Sequence, residues 1–318
     1  MVEKSLDQVI ASSAVGSHIG PLALPLVGEP PVPALVDLAV IIPAYNEENA
    51  VQQGVTELQQ VLSQLPITYA IIVVNDGSSD RTGERAREVG AQVINQRINR
   101  GYGASLKKGI ASSNSTYVAI TDADGTYPAS AIPLMLELIK NGDMVVGDRG
   151  LSKQNIPLVR RPAKFVLNQL ANYLARTKIN DLNSGLRVFK RQSLVKFVPL
   201  LPDGFSFTTT ITLCMACTGM DIVYTPVSYA KRIGQSKIRW AHFFAFTLLV
   251  FRVVTLFNPL RVFLPMGAFL IVTGSAKFIY DIFKWNLSES AVLAILGGLG
   301  AWALGLLADM ISRINLRP

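Results

Sequence analysis

Two long apolar segments near the end of the sequence restrict its fold more than any other feature. Residues 262–280 carry Lys277 as their only formal charge, and residues 290–308 carry none. Each segment is close to the ~20 residues that an α-helix needs to cross a bilayer. Only residues 281–289 separate them. The pair therefore predicts a transmembrane hairpin whose two outer ends lie on the same side of the membrane.

Basic residues predict which side that is. Arg252, Arg261, Arg313 and Arg317 flank the outer ends of the hairpin, whereas the connection offers only Lys284. Because Lys and Arg are enriched on the cytoplasmic side of membrane proteins, we expect the preceding domain and both termini to be cytoplasmic. In a bacterium the membrane would be the plasma membrane.

Composition agrees with one soluble domain joined to a membrane tail. Of 318 residues, 50% are hydrophobic and 16% are charged, against about 25% charged in typical soluble domains. The formal net charge is +8, but no long basic run is present. The basic residues lie beside apolar segments or phosphate-binding candidates, so we expect anionic lipid or phosphate partners and no nucleic acid.

The few cysteines and histidines argue against a zinc site. Cys214 and Cys217 are the only cysteines, and His18 and His242 are the only histidines. A structural zinc needs four ligands, which this set does not supply in a recognisable spacing. We interpret the cysteines as two reduced thiols packed one helical turn apart, as suits a cytosolic domain.

Upstream of the tail, short apolar runs alternate with helical stretches. This alternation predicts an α/β fold with a mostly parallel sheet, in which ligands bind at the carboxyl ends of the strands. Glu47 and Glu48 are expected to open the first helix, because carboxylates suit the positive end of the helix dipole. That helix is expected to reach about Leu65. The predicted strands are residues 38–42, 69–74, 92–94, 117–121 and 144–146.

We divide the chain into five parts on this basis. A flexible, proline-containing extension precedes the α/β domain, and an apolar helix at the membrane interface precedes the hairpin. The segment before Arg252 is short for a third span, although that alternative stays open. The expected bounds are residues 1–36 for the extension, 37–238 for the domain, 239–258 for the interfacial helix, and 259–282 and 289–312 for the transmembrane helices.

Small residues four apart mark one face of the second span. Gly297, Ala301 and Gly305 would form a flat ridge on which another helix can pack closely. Packing within the hairpin and contact within a homo-oligomer are equally good explanations of this ridge.

Two carboxylates directly after an apolar strand are the main chemical candidates. Asp122 and Asp124 are separated by one residue, and hard oxygen ligands of this kind suit Mg²⁺ or Mn²⁺. Such an ion would neutralise a departing diphosphate. A bare Asp-x-Asp is common in turns, so its position at a strand end and its companion motifs carry the interpretation.

Several cations are candidate phosphate ligands. Arg149, Arg232 and Lys237 suit this role because guanidinium clamps phosphate bidentately and ammonium supplies a compact charge. Arg160 and Arg161 are equally well explained as solvated surface charges. Asp181 is a candidate for orienting a bound substrate, with a structural cap as the equal alternative.

The loops after the first two strands supply the companions. They read Pro43-Ala-Tyr-Asn-Glu47 and Asn75-Asp-Gly-Ser-Ser-Asp-Arg-Thr82, and here the sequence resembles glycosyltransferase family 2. The resemblance implies a GT-A fold, Rossmann-like with a mostly parallel sheet, that binds a nucleotide sugar. It implies that this donor is bound by Pro43, Tyr45, Glu47, Asp76 and Asp122. The family often has Asp where this chain has Asn75, so only the second carboxylate is carried over.

Further motifs extend the resemblance to about residues 38–237. They are similar to the branch that contains dolichol-phosphate mannosyltransferase and bacterial polyprenyl-phosphate glucosyltransferases, including its Arg-x-Gly-x-Ser-Lys motif at Arg232, Ser236 and Lys237. The resemblance implies a polyisoprenyl phosphate acceptor, with UDP-glucose as the first choice of donor and GDP-mannose as the second. The motifs are Asn99-Arg-Gly-Tyr-Gly-Ala104, Asp122-Ala-Asp-Gly-Thr-Tyr-Pro128, Gly147-Asp-Arg149, Asp181-Leu-Asn-Ser-Gly-Leu-Arg187 and Arg232-Ile-Gly-Gln-Ser-Lys237.

The scarcity of histidine agrees with a phosphate acceptor. A phosphomonoester with a second pKa near ~6 is mostly a dianion at neutral pH, so it can attack a sugar without a general base. Two other functions stay open at this point. One is a processive polysaccharide synthase, although Gln235 to Trp240 is one residue too long for its Gln-x-x-Arg-Trp motif. The other is a non-catalytic nucleotide-sugar-binding scaffold, which the Asp-x-Asp argues against.

Overall fold

The computed structural model of the protein describes residues 35–150, 172–173, 179–229, 248, 251–285 and 288–315. Within these ranges the chain forms a mixed α/β domain followed by two long helices. The predicted extension lies outside the described residues except for its last two, and Val36 already begins the first strand.

A seven-stranded sheet is the framework of the domain. Its strand order is β3-β2-β1-β4-β6-β5-β7, in which β6 runs antiparallel to both neighbours and the other described pairs are parallel. The expectation of a mostly parallel α/β sheet is confirmed. The strands are β1 (Val36–Ala44), β2 (Tyr69–Asn75), β3 (Gln92–Asn95), β4 (Ser115–Ile120), β5 (Met144–Asp148), β6 (Arg187–Lys190) and β7 (Ile222–Pro226).

Helices cover both faces of this sheet and form the tail. The first starts later than its sequence predicts, at Val51 instead of Glu47, and ends at Leu62 instead of about Leu65. The backbone N–H groups of Glu47 and Glu48 donate to side chains of a neighbouring loop, which holds them outside the helix. The helices are α1 (Val51–Leu62), α2 (Thr82–Glu88), α3 (Tyr102–Ala111), α4 (Ile132–Leu138), α5 (Arg191–Val195), α6 (Phe207–Cys217), α7 (Leu260–Phe283) and α8 (Glu289–Asn315).

The core lies on the two faces of the sheet. Along β1, Ala39 and Ile41 point into one apolar cluster, and Leu38, Val40 and Ile42 point into the other. This alternation follows from the period of two in a strand. Full burial of each such aliphatic side chain contributes about 1.5–3 kcal/mol to folding. Because both faces of the sheet are covered, the central strands are apolar on both sides and form continuous apolar runs in the sequence.

The sheet brings its polar loops to a single edge. Ala44 pairs with Asn75, and Ile41 pairs with Ile120, so β1, β2 and β4 end side by side. Because β6 is antiparallel, it begins where β4 ends, with Arg187 opposite Ile120. The segment before β6 therefore joins the loops that follow the parallel strands.

Two apolar helices, α7 and α8, follow the domain. Each is long enough to cross a membrane, with mean hydropathy of 1.7 and 2.1 over their most apolar windows. They pack tightly: a methyl group added at Gly267 would lie 2.7 Å from the carbonyl oxygen of Gly298, and one added at Gly305 would lie 2.7 Å from Cβ of Phe263. Within the predicted ridge, Ala301 and Gly305 are buried, whereas Gly297 is exposed and Gly298 packs against α7 instead. Contact of the ridge with a second copy stays a prediction.

A helical segment at residues 251–257 connects the domain to this hairpin. It buries Val253, Val254 and Phe257 in the same core cluster as α6. The ring of Phe257 lies edge-on to Phe197, 6.3 Å between centroids. This end of the predicted interfacial helix thus packs on the domain, and its place at the membrane surface stays a prediction.

The two cysteines lie on α6 as free thiols. Burial raises the pKa of Cys214 to about 12 and that of Cys217 to about 11. Both are therefore protonated near neutral pH, as expected of packing residues.

Candidate active site

The Asp-x-Asp motif forms a tight turn directly after β4. The backbone N–H and the hydroxyl of Thr126 donate to Oδ1 of Asp124, at 3.2 and 2.6 Å. Gly125 has φ +68°, which favours glycine at this point of the turn. Asp122 and Asp124 are both partly exposed. The turn therefore presents two oriented carboxylates at the polar edge of the sheet.

Asp122 is held in place from two sides. The hydroxyl of Tyr102, at the start of α3, donates to its Oδ1 at 3.0 Å. On the other side Gly185 packs so closely that a methyl group there would lie 2.8 Å from Cγ of Asp122. Burial and the neighbouring Asp122 raise the pKa of Tyr102, so its hydroxyl stays protonated and available as the donor.

Gly185 is itself fixed by the same motif. Its backbone N–H donates to the hydroxyl of Tyr127 at 2.7 Å. Burial is the main reason that the pKa of Tyr127 rises to about 12. This hydrogen bond joins the segment before β6 to the loop after β4, next to the carboxylate of Asp122.

Asp76 has a structural task that its sequence position does not reveal. It is only 4% exposed, and its carboxylate accepts from the backbone N–H groups of Arg100 and Gly101, at 2.8 and 2.9 Å. The side chain of Gln96 also donates to it, at 2.9 Å. Asp76 therefore lies at the predicted edge, but these three donors tie its carboxylate to the segment that leads into α3.

The loops after β1 and β2 are interlocked by reciprocal hydrogen bonds. The N–H of Asn46 donates to Ser78 Oγ, and the N–H of Ser79 donates to Asn46 Oδ1, at 3.0 and 2.9 Å. Asn46 takes a positive φ of 55°, which asparagine tolerates better than most residues. Next to it Tyr45 is 49% exposed at the same edge. These loops therefore form a rigid rim, with Tyr45 open to a ligand.

Arg149 and Asp181 form a bidentate ion pair beyond β5. The Nε and one terminal nitrogen of Arg149 donate to the two carboxylate oxygens, at 2.7 and 2.8 Å. The guanidinium also lies over the ring of Tyr229, 5.5 Å from its centroid. Burial alone would raise the pKa of Asp181, but the hydrogen bonds and charge of Arg149 outweigh it and lower that pKa. Asp181 is therefore ionised near neutral pH.

The structure brings most of the predicted site residues to one edge. Pro43, expected in the loop after the first strand, is the second-last residue of β1, because the strand extends to Ala44. Tyr45 and Glu47 follow β1, Asp76 follows β2, and the two carboxylates follow β4. Arg149 and Asp181 meet after β5 and before β6. The remaining candidates, Arg160, Arg161, Arg232, Ser236 and Lys237, lie outside the described residues.

Sequence reasoning missed the residues that hold the carboxylates. Tyr102, Tyr127 and Gly185 all occur in motifs that were recognised, but no role was assigned to them. Their positions in those motifs could have indicated a role, because Tyr102 is the first residue of a helix and Gly185 lies two residues before a strand.

The donor set fits a divalent cation bound partly by substrate. No cluster of three or more His, Cys, Asp or Glu side chains is present in the described part of the chain. Mg²⁺ and similar ions are commonly held by one or two carboxylates, with phosphate oxygens and water completing the coordination. Asp122 and Asp124 supply that number of carboxylates.

Comparison with known proteins agrees with this arrangement. Residues 39–197 match the glycosyl transferase family 2 model, and residues 258–314 match the model of the GtrB C-terminal hairpin. The dolichyl-phosphate hexose transferase of Haloferax volcanii is 33% identical over 205 residues, which cover 64% of this chain and 86% of that protein. The dolichol-phosphate mannosyltransferase of Pyrococcus furiosus is 28% identical over 229 residues, 68% of this chain and 63% of the relative.

Solved structures share the fold. Glucosyl-3-phosphoglycerate synthase from Mycobacterium tuberculosis, in complex with Mn²⁺, UDP and glucosyl-3-phosphoglycerate, superposes with a TM-score of 0.52 at 20% identity, over 69% of this chain and 78% of that one. The resemblance drawn from the sequence motifs is thereby confirmed for the family and the fold. The chain belongs to glycosyltransferase family 2 and carries a GtrB-type C-terminal hairpin.

Proposed function

We propose that this glycosyltransferase transfers a hexose from a nucleotide sugar to a polyisoprenyl phosphate, with glucose from UDP-glucose as the first choice. The observation that carries the proposal is the attachment of an oriented carboxylate pair, Asp122 and Asp124, to a domain that continues into two membrane-length helices. A lipid acceptor explains why a sugar transferase would carry both.

The donor would lie across the ends of β1, β2 and β4. One side of this donor site would be lined by Pro43, Tyr45 and Glu47. On the other side, Asp76 holds the segment that leads into α3 through the N–H groups of Arg100 and Gly101. The phosphates would face Asp122 and Asp124, the proposed ligands of Mg²⁺ or Mn²⁺. The bound ion would act as a Lewis acid that stabilises the leaving diphosphate.

The reaction would be a single displacement. A phosphate oxygen of the acceptor forms a bond to the anomeric carbon while the bond from that carbon to the diphosphate breaks, and the electron pair leaves with the nucleoside diphosphate. One displacement inverts the anomeric configuration. The acceptor is already a dianion at neutral pH, so no side chain has to remove a proton.

Arg149 and Asp181 would set the geometry of the acceptor. The exposed remainder of the Arg149 guanidinium is a site for a phosphate oxygen, and Asp181 holds the group in orientation. We further assign Arg232, Ser236 and Lys237 to the acceptor phosphate, because they directly precede the membrane segment in the sequence. The catalytic domain would face the cytoplasm, where nucleotide sugars are made.

The test is a transfer assay with purified full-length protein in detergent. Radiolabelled UDP-glucose or GDP-mannose is incubated with polyprenyl phosphate and Mg²⁺, and the butanol-soluble product is measured. We expect label in the butanol phase from UDP-glucose, released by mild acid as free glucose. The absence of butanol-soluble label from either donor would contradict the proposal, and a long water-soluble polymer would identify a polysaccharide synthase instead.

A further inference from the structure

Arg187, the first residue of β6, is a charged side chain enclosed in the core. It is 0% exposed, and its guanidinium makes four contacts, all to neutral atoms. It donates to the backbone carbonyls of Ser184 and Leu182 at 2.8 and 2.9 Å, and to the hydroxyl of Thr212 at 2.6 Å. The fourth contact is to the sulfur of Met144 at 3.4 Å. Each of the three guanidinium nitrogens thus has a hydrogen-bond partner, but the charge is not neutralised by these partners.

Its nearest candidate counter-ion is already paired. Asp181 binds Arg149 through both carboxylate oxygens, and no carboxylate among the described residues forms an ion pair with Arg187. Burial lowers the pKa of Arg187, yet a guanidinium starts from so high a value that it stays protonated in proteins. A buried and unpaired charge is costly, so its retention calls for a compensating role.

The position of this charge is close to the reacting groups. Arg187 pairs with Ile120, two residues before Asp122, and two of its hydrogen bonds hold the segment that ends at Gly185. Its electrostatic neighbours include Asp181, Tyr102 and Tyr127. Tyr102 donates to Asp122, and Tyr127 accepts from Gly185, which packs against Asp122. The low polarity around it lets its field reach further than that of a surface charge.

A charge count shows what this cation adds. With a divalent ion bound, the two negative charges of Asp122 and Asp124 would be balanced, and the charges of Arg149 and Asp181 cancel each other. Of these five described side chains, Arg187 is then the one whose charge remains, and it is positive, on the side of the Asp122 turn where a diphosphate would develop negative charge. A preorganised charge of this kind stabilises a leaving group without reorganising during the reaction.

We infer that Arg187 is a positioning residue that acts on a nucleoside diphosphate through its fixed charge, without touching it, while it holds the segment from Leu182 to Gly185 against Asp122. The inference rests on the proposed nucleotide-sugar site. It predicts that removing the charge weakens binding of a charged diphosphate more than binding of the neutral nucleoside. A residue that only held this segment in place would lose diphosphate binding equally in Gln and Lys variants, because neither side chain keeps both hydrogen bonds to Leu182 and Ser184.

The first experiment compares Arg187→Gln with Arg187→Lys in the full-length protein. UDP and GDP are titrated calorimetrically in the presence of Mg²⁺, and the tighter nucleotide is used with its parent nucleoside, whose binding is followed by saturation-transfer NMR. We expect Arg187→Gln to weaken diphosphate binding about tenfold, or about 1.4 kcal/mol, and to leave the nucleoside within about twofold. Arg187→Lys, which keeps the charge, should stay within about threefold of wild type for both ligands.

A second pair of variants changes the charge without removing the arginine. Thr212→Glu would place a carboxylate against the guanidinium and neutralise it, whereas Thr212→Gln has the same volume and no charge. We expect a tenfold loss of diphosphate affinity in the Glu variant alone. Equal losses in both Thr212 variants, or equal losses of nucleoside and diphosphate binding in Arg187→Gln, would overturn the inference. Failure of the wild type to bind either nucleotide would instead contradict the proposed function.

Discussion

Arg149 clamps Asp181 through both carboxylate oxygens, and this pair joins the loop after β5 to the segment before β6. The turn that follows Asp181 is held by the same carboxylate, because Oδ1 also accepts from the N–H of Asn183 at 3.0 Å. Both carboxylate oxygens of Asp181 therefore accept hydrogen bonds from its own chain. This arrangement argues against a general base at this position and agrees with an acceptor that needs none.

Asp181→Asn is expected to destabilise the protein with a distinctive pH dependence. The folded-state pKa of Asp181 lies below the unfolded value of about 3.9, so its contribution to stability is complete above that value and is lost as the pH falls through the folded pKa. At pH 7 we expect a loss of about 2 kcal/mol. In thermal unfolding, the gap between wild type and variant should be constant from about pH 5 to about pH 8 and shrink below about pH 4. A gap that widens in acid would contradict the assignment.

Gly185→Ala should displace the carboxylate of Asp122 because the added methyl group would overlap it. We expect transfer activity to fall about 100-fold, together with weaker Mn²⁺-dependent nucleotide binding. The matched control is Gly54→Ala on α1, where nothing lies within 4 Å of the added methyl group. That control should keep its activity and gain about 0.5–1 kcal/mol in unfolding free energy. Equal activity in the two variants would rule out the crowding argument.

Asp124→Asn removes the negative charge of the side chain but keeps an oxygen that can accept the hydrogen bonds of the turn. The amide oxygen of Asn can still accept both hydrogen bonds from Thr126, so the fold should survive and the melting temperature should change little. The negative charge that a divalent ion requires is lost, and transfer should fall by at least about 1,000-fold. Activity is measured across a titration of Mg²⁺ and Mn²⁺ after chelation. Wild-type turnover in this variant would remove Asp124 from the metal site.

Asp76→Asn tests whether this carboxylate anchors the segment before α3. The amide nitrogen of Asn cannot accept from Arg100 or Gly101, so at least one of these backbone N–H groups would lose its charged partner, at a cost of about 1–3 kcal/mol. Hydrogen exchange at residues 96–101 should become faster, while exchange in α1 should not change. If exchange stays at the wild-type rate and only nucleotide binding falls, Asp76 contacts the nucleotide directly.

How far the sequence predicts this structure depends on the range of the contacts involved. Strands β1, β2 and β4 were predictable because apolar runs report burial on both faces, and the polar motifs at their ends follow from sheet topology. Strand β6 was missed because two of its four residues, Arg187 and Lys190, are charged, so the sequence shows no apolar run there. The start of α1 and the hydrogen bonds to Asp76 were missed for a different reason: their partners lie 20 or more residues away in sequence.

The orientation of the hairpin can be tested with two single cysteines in a variant whose native cysteines are replaced by serine. Trp285, in the connection between α7 and α8, is 98% exposed, and Glu84 is an exposed residue of the catalytic domain. If the domain is cytoplasmic, Trp285→Cys should react with a membrane-impermeant maleimide in intact cells, because the connection lies on the opposite side. Glu84→Cys should react only after the cells are made permeable. Labelling of Glu84→Cys in intact cells, with Trp285→Cys protected, would reverse the orientation and remove access of the domain to cytoplasmic nucleotide sugars.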